Sequence, residues 1–241
     1  MAFLHGKSAQ ILHNEFDLSG YFNEISTKRD VETAETTAFG SSAKSYIVGL
    51  KDGTISLSGM FDGSANAIDA EMTDVLGDNT GGVITISLTG VTTIGTRVTT
   101  ATGKMTSYEV SSPVGDVVSA NAEFQADAGI TEAISLHALS ADTATTSNAS
   151  VDNAVSSANG GAANLHVTAN TMNAGDVFKV QHSADNSTWA DLVTFTTVPT
   201  VTKTAERKTV AAGTTVNRYL RSTLTASGTG SITYHINFAR N

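Results

Sequence analysis

Histidines and carboxylates are the side chains of this chain best equipped for chemistry, and their spacing argues against it. Six histidines stand at positions 5, 13, 137, 166, 182 and 235, and none has a second histidine two to four residues away. A metal needs several converging ligands and groups that orient them, so His166, His182 and His235 read as ordinary polar-face or interface residues of strands. The carboxylates Asp62, Asp69, Glu71, Asp74 and Asp78 cluster, but their spacing does not match a calcium loop, and Asp69 to Asp74 fall on a helix-like segment, as a solvated face. No G-x-S-x-G elbow, phosphate loop or dinucleotide fingerprint occurs, and GDNTGG at 77–82 reads as a helix stop and turn. Asn148 and Asn186 open glycosylation sequons, which mean little without a secretory signal. With no cysteine in the chain, thiolate ligands and disulfides are excluded. The expectation is a protein that is not an enzyme, without catalytic, cofactor-binding or metal residues.

The elements that would carry any site are strands. Aromatic residues make up 6% of the 241 and charged residues 15%, and prolines number only two; abundant Thr, Ser, Ala and Gly suit short strands and tight turns. The opening MAFLHGKSAQILHNEFDLSG lacks the unbroken apolar stretch of a signal peptide, and no 18-residue apolar run predicts a membrane helix, so no membrane binding is expected. Residues 1–140 hold 17 Asp/Glu and 7 Lys/Arg, a net of −10, whereas residues 141–241 hold 6 and 7, a net of +1. An acidic surface repels polyanions, which argues against tight nucleic-acid binding.

Strand-like segments fall at 10–16, 46–50, 54–61, 83–88, 96–102, 105–110 and 117–126. Among them 64–76 spaces Ile68, Met72, Val75 and Leu76 as a helix, with Ser64 placed to cap it and Gly77 to stop it. A segment rich in small polar residues, 140–164, cannot build a core by itself. Strand patterns resume at 165–169, 177–183, 189–196, 218–225 and 231–239, and a short one at 134–139 belongs with them. This predicts an all-β fold: a β-sandwich flanked by one helix over 1–130 and a second β-sandwich over 131–241.

Two features remain. Residues 27–45 carry Lys28, Arg29, Asp30, Glu32, Glu35 and Lys44 with one large apolar residue, Phe39, and no clear period. Unstructured connections beyond roughly 12–15 residues are uncommon in compact domains unless functional, so this segment is read as a long loop that orders against a partner. Further on, Ser119, Asn121, Glu123 and Gln125 alternate with Val118, Ala120, Ala122 and Phe124. Such a wholly polar strand face suits either bulk solvent or the wall of a water-filled channel.

The stretch YFNEISTKRDVETAETTAFGSSAKSYIVGLKDGTISLSGMFDG, followed by the helix-like segment, resembles the tail tube (major tail) proteins of long-tailed, non-contractile bacteriophages. The resemblance covers residues 1 to about 130. The distal VDNAVSSANGGAANLHVTA, VFKVQHSADNSTWADLVTFTTV and VNRYLRSTLTASGTGSITYHINFAR also look like carboxy-terminal β-domains of such proteins. It implies hexameric rings of this chain stacked into a tube, with the tape-measure protein and then transiting DNA in the lumen, tail-tip and terminator proteins at the ends, and residues 131–241 decorating the outside. It further implies synthesis in the host bacterial cytoplasm and residence in the virion tail. Under it, Lys28, Arg29, Asp30, Glu32, Glu35, Phe39 and Lys44 lie at contacts between subunits and rings, and Ser119, Asn121, Glu123 and Gln125 are candidates to face the lumen. Two other classes stay open: a capsid decoration or surface carbohydrate-binding module, to which Trp189 and Tyr219 would present exposed rings, and a soluble enzyme of unknown type.

Overall fold

A computed structural model describes residues 6–64 and 67–241; His5 lies outside them. Among the described residues are fifteen strands, one α-helix and a single 3-10 turn, an all-β fold with one helix. In chain order the strands are β1 (Gln10–His13), β2 (Phe16–Asp17), β3 (Phe22–Glu35), β4 (Tyr46–Met60), β5 (Gly82–Ser87), β6 (Arg97–Ser111), β7 (Ser119–Asp142), β8 (Thr146–Ser147), β9 (Val151–Asp152), β10 (Gly161–Asn170), β11 (Val177–Ser183), β12 (Ala190–Thr194), β13 (Thr204–Val210), β14 (Tyr219–Thr225) and β15 (Ile232–Arg240). The helix α1 spans Ile68–Val75.

The chain folds into two compact units that are not two consecutive halves. One takes Gly20–Gly82 and Ala101–Ile130; the other takes residues up to Ser19, Val83–Thr100 and Thr131–Asn241. One border falls at Ile130, and the described residues before Gly20 and Val83–Thr100 group with the distal residues.

In the first, the hairpin unit, strand order is β3-β4-β7-β6. Ile55 and Leu57 of β4 and Ala120, Ala122 and Phe124 of β7 alternate onto one buried face, the two-residue period of a half-buried sheet. Gly59 is required in that face because a Cβ there would collide with the Tyr21 carbonyl. Helix α1 buries Ile68 and Met72, one turn apart, and its first-turn carboxylates Asp69 and Glu71 suit the positive end of the helix. The Tyr108 hydroxyl donates to Asp69 at 3.1 Å; burial, then this carboxylate, pushes the phenol up to about 12. Ser64 does not cap the helix as expected. The cap position is Ala67, without a side-chain hydrogen bond, so the helix begins later than the sequence pattern suggested. Gly77, at φ +79, stops it.

In the second, the sandwich unit, the sheet β13-β10-β15-β7-β6-β5-β1-β2 faces the smaller sheet β12-β11-β14-β8, with β9 also on β14. Leu165, Val167, Tyr234, Ile236 and Phe238 of the first sheet pack with Phe178, Val180, Val193, Leu220 and Leu224 of the second. The alternate residues on β10 and β15 face the other way, and in the middle of the strands they do not meet solvent. Asn164, His166, His235 and Asn237 are fully buried there, together with Thr85 and Thr100.

Their hydrogen bonds have a single direction. Arg207 Nη1 donates to Asn164 Oδ1 at 3.0 Å, and Asn164 Nδ2 donates to Asn237 Oδ1 at 2.7 Å and Thr100 Oγ1 at 2.9 Å. Asn237 Nδ2 donates to Thr85 Oγ1 at 3.0 Å and His235 Nε2 at 3.3 Å. Thr85 then donates to His166 Nε2 at 2.8 Å. Each ring's Nδ1 faces a carbonyl, Asn14 O for His166 at 2.7 Å and His137 O for His235 at 2.6 Å, which fixes both as neutral Nδ1–H tautomers. Burial lowers His166 to about 4 and His235 to about 3. His166 and His235 thus lie on strands, inside a polar layer to which Thr85, Thr100 and Asn14, distant in sequence, contribute partners. Trp189 and Tyr219 are likewise only half-exposed, with the Arg221 guanidinium 4.1 Å above the Trp189 ring.

Candidate assembly interface

The segment 27–45 is not a loop over its first half. Residues 27–35 belong to β3, which pairs with β4 from Phe22↔Gly59 to Glu35↔Tyr46. Its pattern escaped detection because both faces of the ribbon are exposed, so neither requires apolar residues at period two. Only 36–45 remains as a connection, held by Thr36 N to Ser45 O at 2.8 Å and Ser45 N to Thr37 Oγ1 at 3.1 Å. Phe39 stands fully exposed beside Gly40, whose φ of +89 the turn demands.

Four of the charged residues of this segment pair within the ribbon. Lys28 meets Asp30 at 2.8 Å, and Lys44 meets Glu35 at 2.9 Å. Each pairing favours the charged form, raising Lys28 and lowering Glu35 through hydrogen bonds from Lys44 and Thr37. Arg29 lies across from Gly53 and Asp30 across from Asp52. Such exposed pairs contribute little to stability.

Exposed apolar side chains line the outer half of β4, and sequence reasoning missed their exposure. Tyr46, Ile47, Val48 and Leu50 are between 54% and 75% exposed, and Val31 is 48% exposed. The register slips between Val31 and Thr33, since Val31 faces Lys51 but Thr33 faces Val48. The extra residue on β4 reverses its alternation and brings Val48 and Tyr46 onto the same face as Val31. The signal was present as the run YIVGL, but a short apolar run is normally taken for a buried strand.

The alternate polar residues of β7 share one face with those of β4. Ser119, Asn121, Glu123 and Gln125 lie on one face of β7, opposite Met60, Ser58, Ser56 and Thr54. With β3 added, the rows read Glu24–Ser58–Asn121, Ser26–Ser56–Glu123 and Lys28–Thr54–Gln125. Gln125 Nε2 donates to Asp52 and to the Gly53 carbonyl, and Lys104 lies 3.7 Å from Asp127. Glu123 is exposed, whereas Ser119, Asn121 and Gln125 are half-buried.

Among the described residues, no group of three or more His, Asp or Glu is placed to hold a metal, and no helix is long and apolar enough to cross a membrane.

No protein-family model matches the chain, and no curated protein sequence does. Solved structures with similarity include a chain of the native gene transfer agent virion, at 14% identity and a TM-score of 0.44 over 54% of this chain and 98% of that one. The tube-terminating cap of the anti-feeding prophage matches at 16% identity and 0.43, over 55% and 91%. The SPP1 Dit protein, described as a paradigm of the hub adsorption apparatus in phages infecting Gram-positive bacteria, matches at 11% and 0.38, over 96% and 98%. Identities of this order leave the function to be read from this chain's own residues.

Proposed function

We propose that this chain is a structural protein of a phage tail, which polymerises through the β3–β4 ribbon into stacked hexameric rings and forms the tube through which DNA leaves the virion. The observation that carries this reading is the ribbon. A two-stranded hairpin is marginal by itself in water, yet this one exposes Tyr46, Ile47, Val48 and Leu50, and clustered exposed apolar side chains mark interaction sites. The lone outer edge of β3 adds unpaired backbone groups, which ring closure would satisfy. The rows of small polar side chains around Glu123 suit the wall of a water-filled conduit, and residues 131–241 take the part of an outer decoration. The sequence resemblance to tail tube proteins supplies the ring and the tube.

Light scattering with electron microscopy of the purified chain tests the reading. Rings that stack into tubes at high concentration are expected; monomers across concentration and salt, with no tube containing the chain in phage particles, would overturn it. Rings that never stack would instead place the chain at a terminal hub.

A further inference from the structure

The hairpin unit exposes a second apolar cluster. Val114 is fully exposed, Val117 62%, Met60 48% and Val110 43%. All four gather where β6 turns into β7, since Met60 faces Ser119 at the start of β7 and Phe61 N donates to Val118 O at 3.0 Å. The turn itself is SSPVGDV, with Gly115 at φ +94. Tyr46 and Met60 are the two ends of β4, so this cluster and the ribbon stripe lie at opposite ends of one strand, roughly 45 Å apart at about 3.3 Å per residue.

The two clusters carry opposite charge. On the stripe, Val31 pairs with Lys51 and Arg29 precedes it on the same face, while Glu35, across from Tyr46 on that face, is neutralised by Lys44 at 2.9 Å, so the face keeps an excess of cations. At the other end Glu109 and Asp116 are exposed beside Val110 and Val117. Stripe against stripe would oppose cations to cations, and turn against turn acids to acids, which association disfavours. Stripe against turn matches apolar with apolar and cation with acid.

We propose that the ribbon stripe of one copy, Val31, Tyr46 and Val48 flanked by Lys51, docks on the Val110–Val114–Val117–Met60 turn of a second copy of this chain. The joint is heterologous: each copy offers its stripe at one end and its turn at the other, so the contact never closes on itself and extends as an open stack. This rests on the assembly reading and adds its direction and its residues.

A complementation experiment tests it. A stripe-dead chain carries Tyr46→Asp and Val48→Asp, and a turn-dead chain carries Val114→Asp and Val117→Asp. All four positions are exposed, so circular dichroism and melting temperature should match the wild type. Each chain alone should fail to stack, whereas an equal mixture should stop after one step, because the turn-dead chain still offers a stripe and the stripe-dead chain a turn. Sedimentation velocity reads the size of the joined species. Lys51→Glu and Asp116→Lys should each weaken stacking tenfold or more, and the chain carrying both should recover it. No joining in the mixture, or no recovery in the double variant, while the wild type still stacks, would overturn this joint and leave the assembly reading intact. A wild type that never associates would overturn the assembly reading itself.

Discussion

In the polar layer of the sandwich unit the side chains are buried and matched: Asn164, His166, His235 and Asn237 are inaccessible, and each donor meets a named acceptor. In the ribbon of the hairpin unit the reverse holds, with Val48 74% and Leu50 75% exposed and no apolar neighbour enclosing them. The first arrangement is complete within one chain. On the assembly reading proposed above, the second is a surface that another copy completes, which would separate where stability resides from where assembly does. Substitutions should separate the two properties: those on the ribbon alter association without altering melting, and those in the polar layer do the opposite.

The largest effect is expected from Val48→Asp. A carboxylate in the centre of the stripe would have to be buried in the joint, where an unpaired charge is strongly disfavoured. Stacking should be abolished, read as loss of the large species in light scattering. The melting temperature should move by no more than about 2 °C, because exposed substitutions usually change stability by less than about 0.5 kcal/mol. A matching fall in melting temperature would mean that the ribbon belongs to the folding core after all.

Asn237→Ala tests the other side of the comparison. It removes a donor to Thr85 and His235 and the acceptor of Asn164. Buried polar groups left without partners cost about 1–3 kcal/mol each, so a loss of roughly 3 kcal/mol is expected in chemical denaturation, with association per folded chain unchanged. A neutral result would show that the layer is wet and tolerant.

How far these regions were legible in the sequence follows from the same contrast. β15 could be read residue by residue because Ile232, Tyr234, Ile236 and Phe238 alternate cleanly, and the helix from Ile68 and Met72. That His235 and Asn237 are as buried as their neighbours was not legible, because Thr85, which accepts from Asn237, lies 152 residues away in the chain and the His137 carbonyl that meets His235 lies 98 away. β13, TAERKTV, was missed because it is a half-exposed edge strand whose charged residues suit an edge. Residues 27–35 of β3 read as loop in the sequence because a ribbon exposed on both faces has no pattern to show. The polar face of β7 was legible because its other face is buried; whether it borders a conduit is decided by neighbouring copies, which no single sequence spells out.

Acid should weaken the sandwich unit in a graded way. Folded His166 and His235 titrate at about 4 and about 3, against about 6.5 for an unfolded histidine. Below about pH 6.5 the unfolded chain binds protons that the folded chain refuses, so stability falls with falling pH, by about 1.4 kcal/mol per pH unit for each histidine. The loss runs from about pH 6.5 down to the folded values and ends there. Denaturation at pH 7, 5.5 and 4.5 should show the fall, and His166→Gln should reduce its slope by one proton. An unchanged slope would mean that His166 is protonated in the folded state.

The smallest effect, and the sharpest test of the polar face, is Glu123→Lys. Glu123 is exposed beside Ser56 and Ser26, so its replacement buries nothing and leaves the fold and the stacks unchanged. If the face lines the conduit, six copies per ring turn a band of carboxylates into a band of ammonium groups. Each new cation adds counterion-release affinity for a phosphate chain, and the wall changes from repelling DNA to holding it. Genome ejection should slow, most at low salt, where the Debye length extends to about 30 Å at 0.01 M against about 8 Å at 0.15 M. Ejection from variant particles, followed by dye uptake at the two ionic strengths, should therefore differ from the wild type at 0.01 M and converge with it at 0.15 M. Equal rates at both strengths would place Glu123 away from the DNA and leave the polar face as an ordinary solvated one.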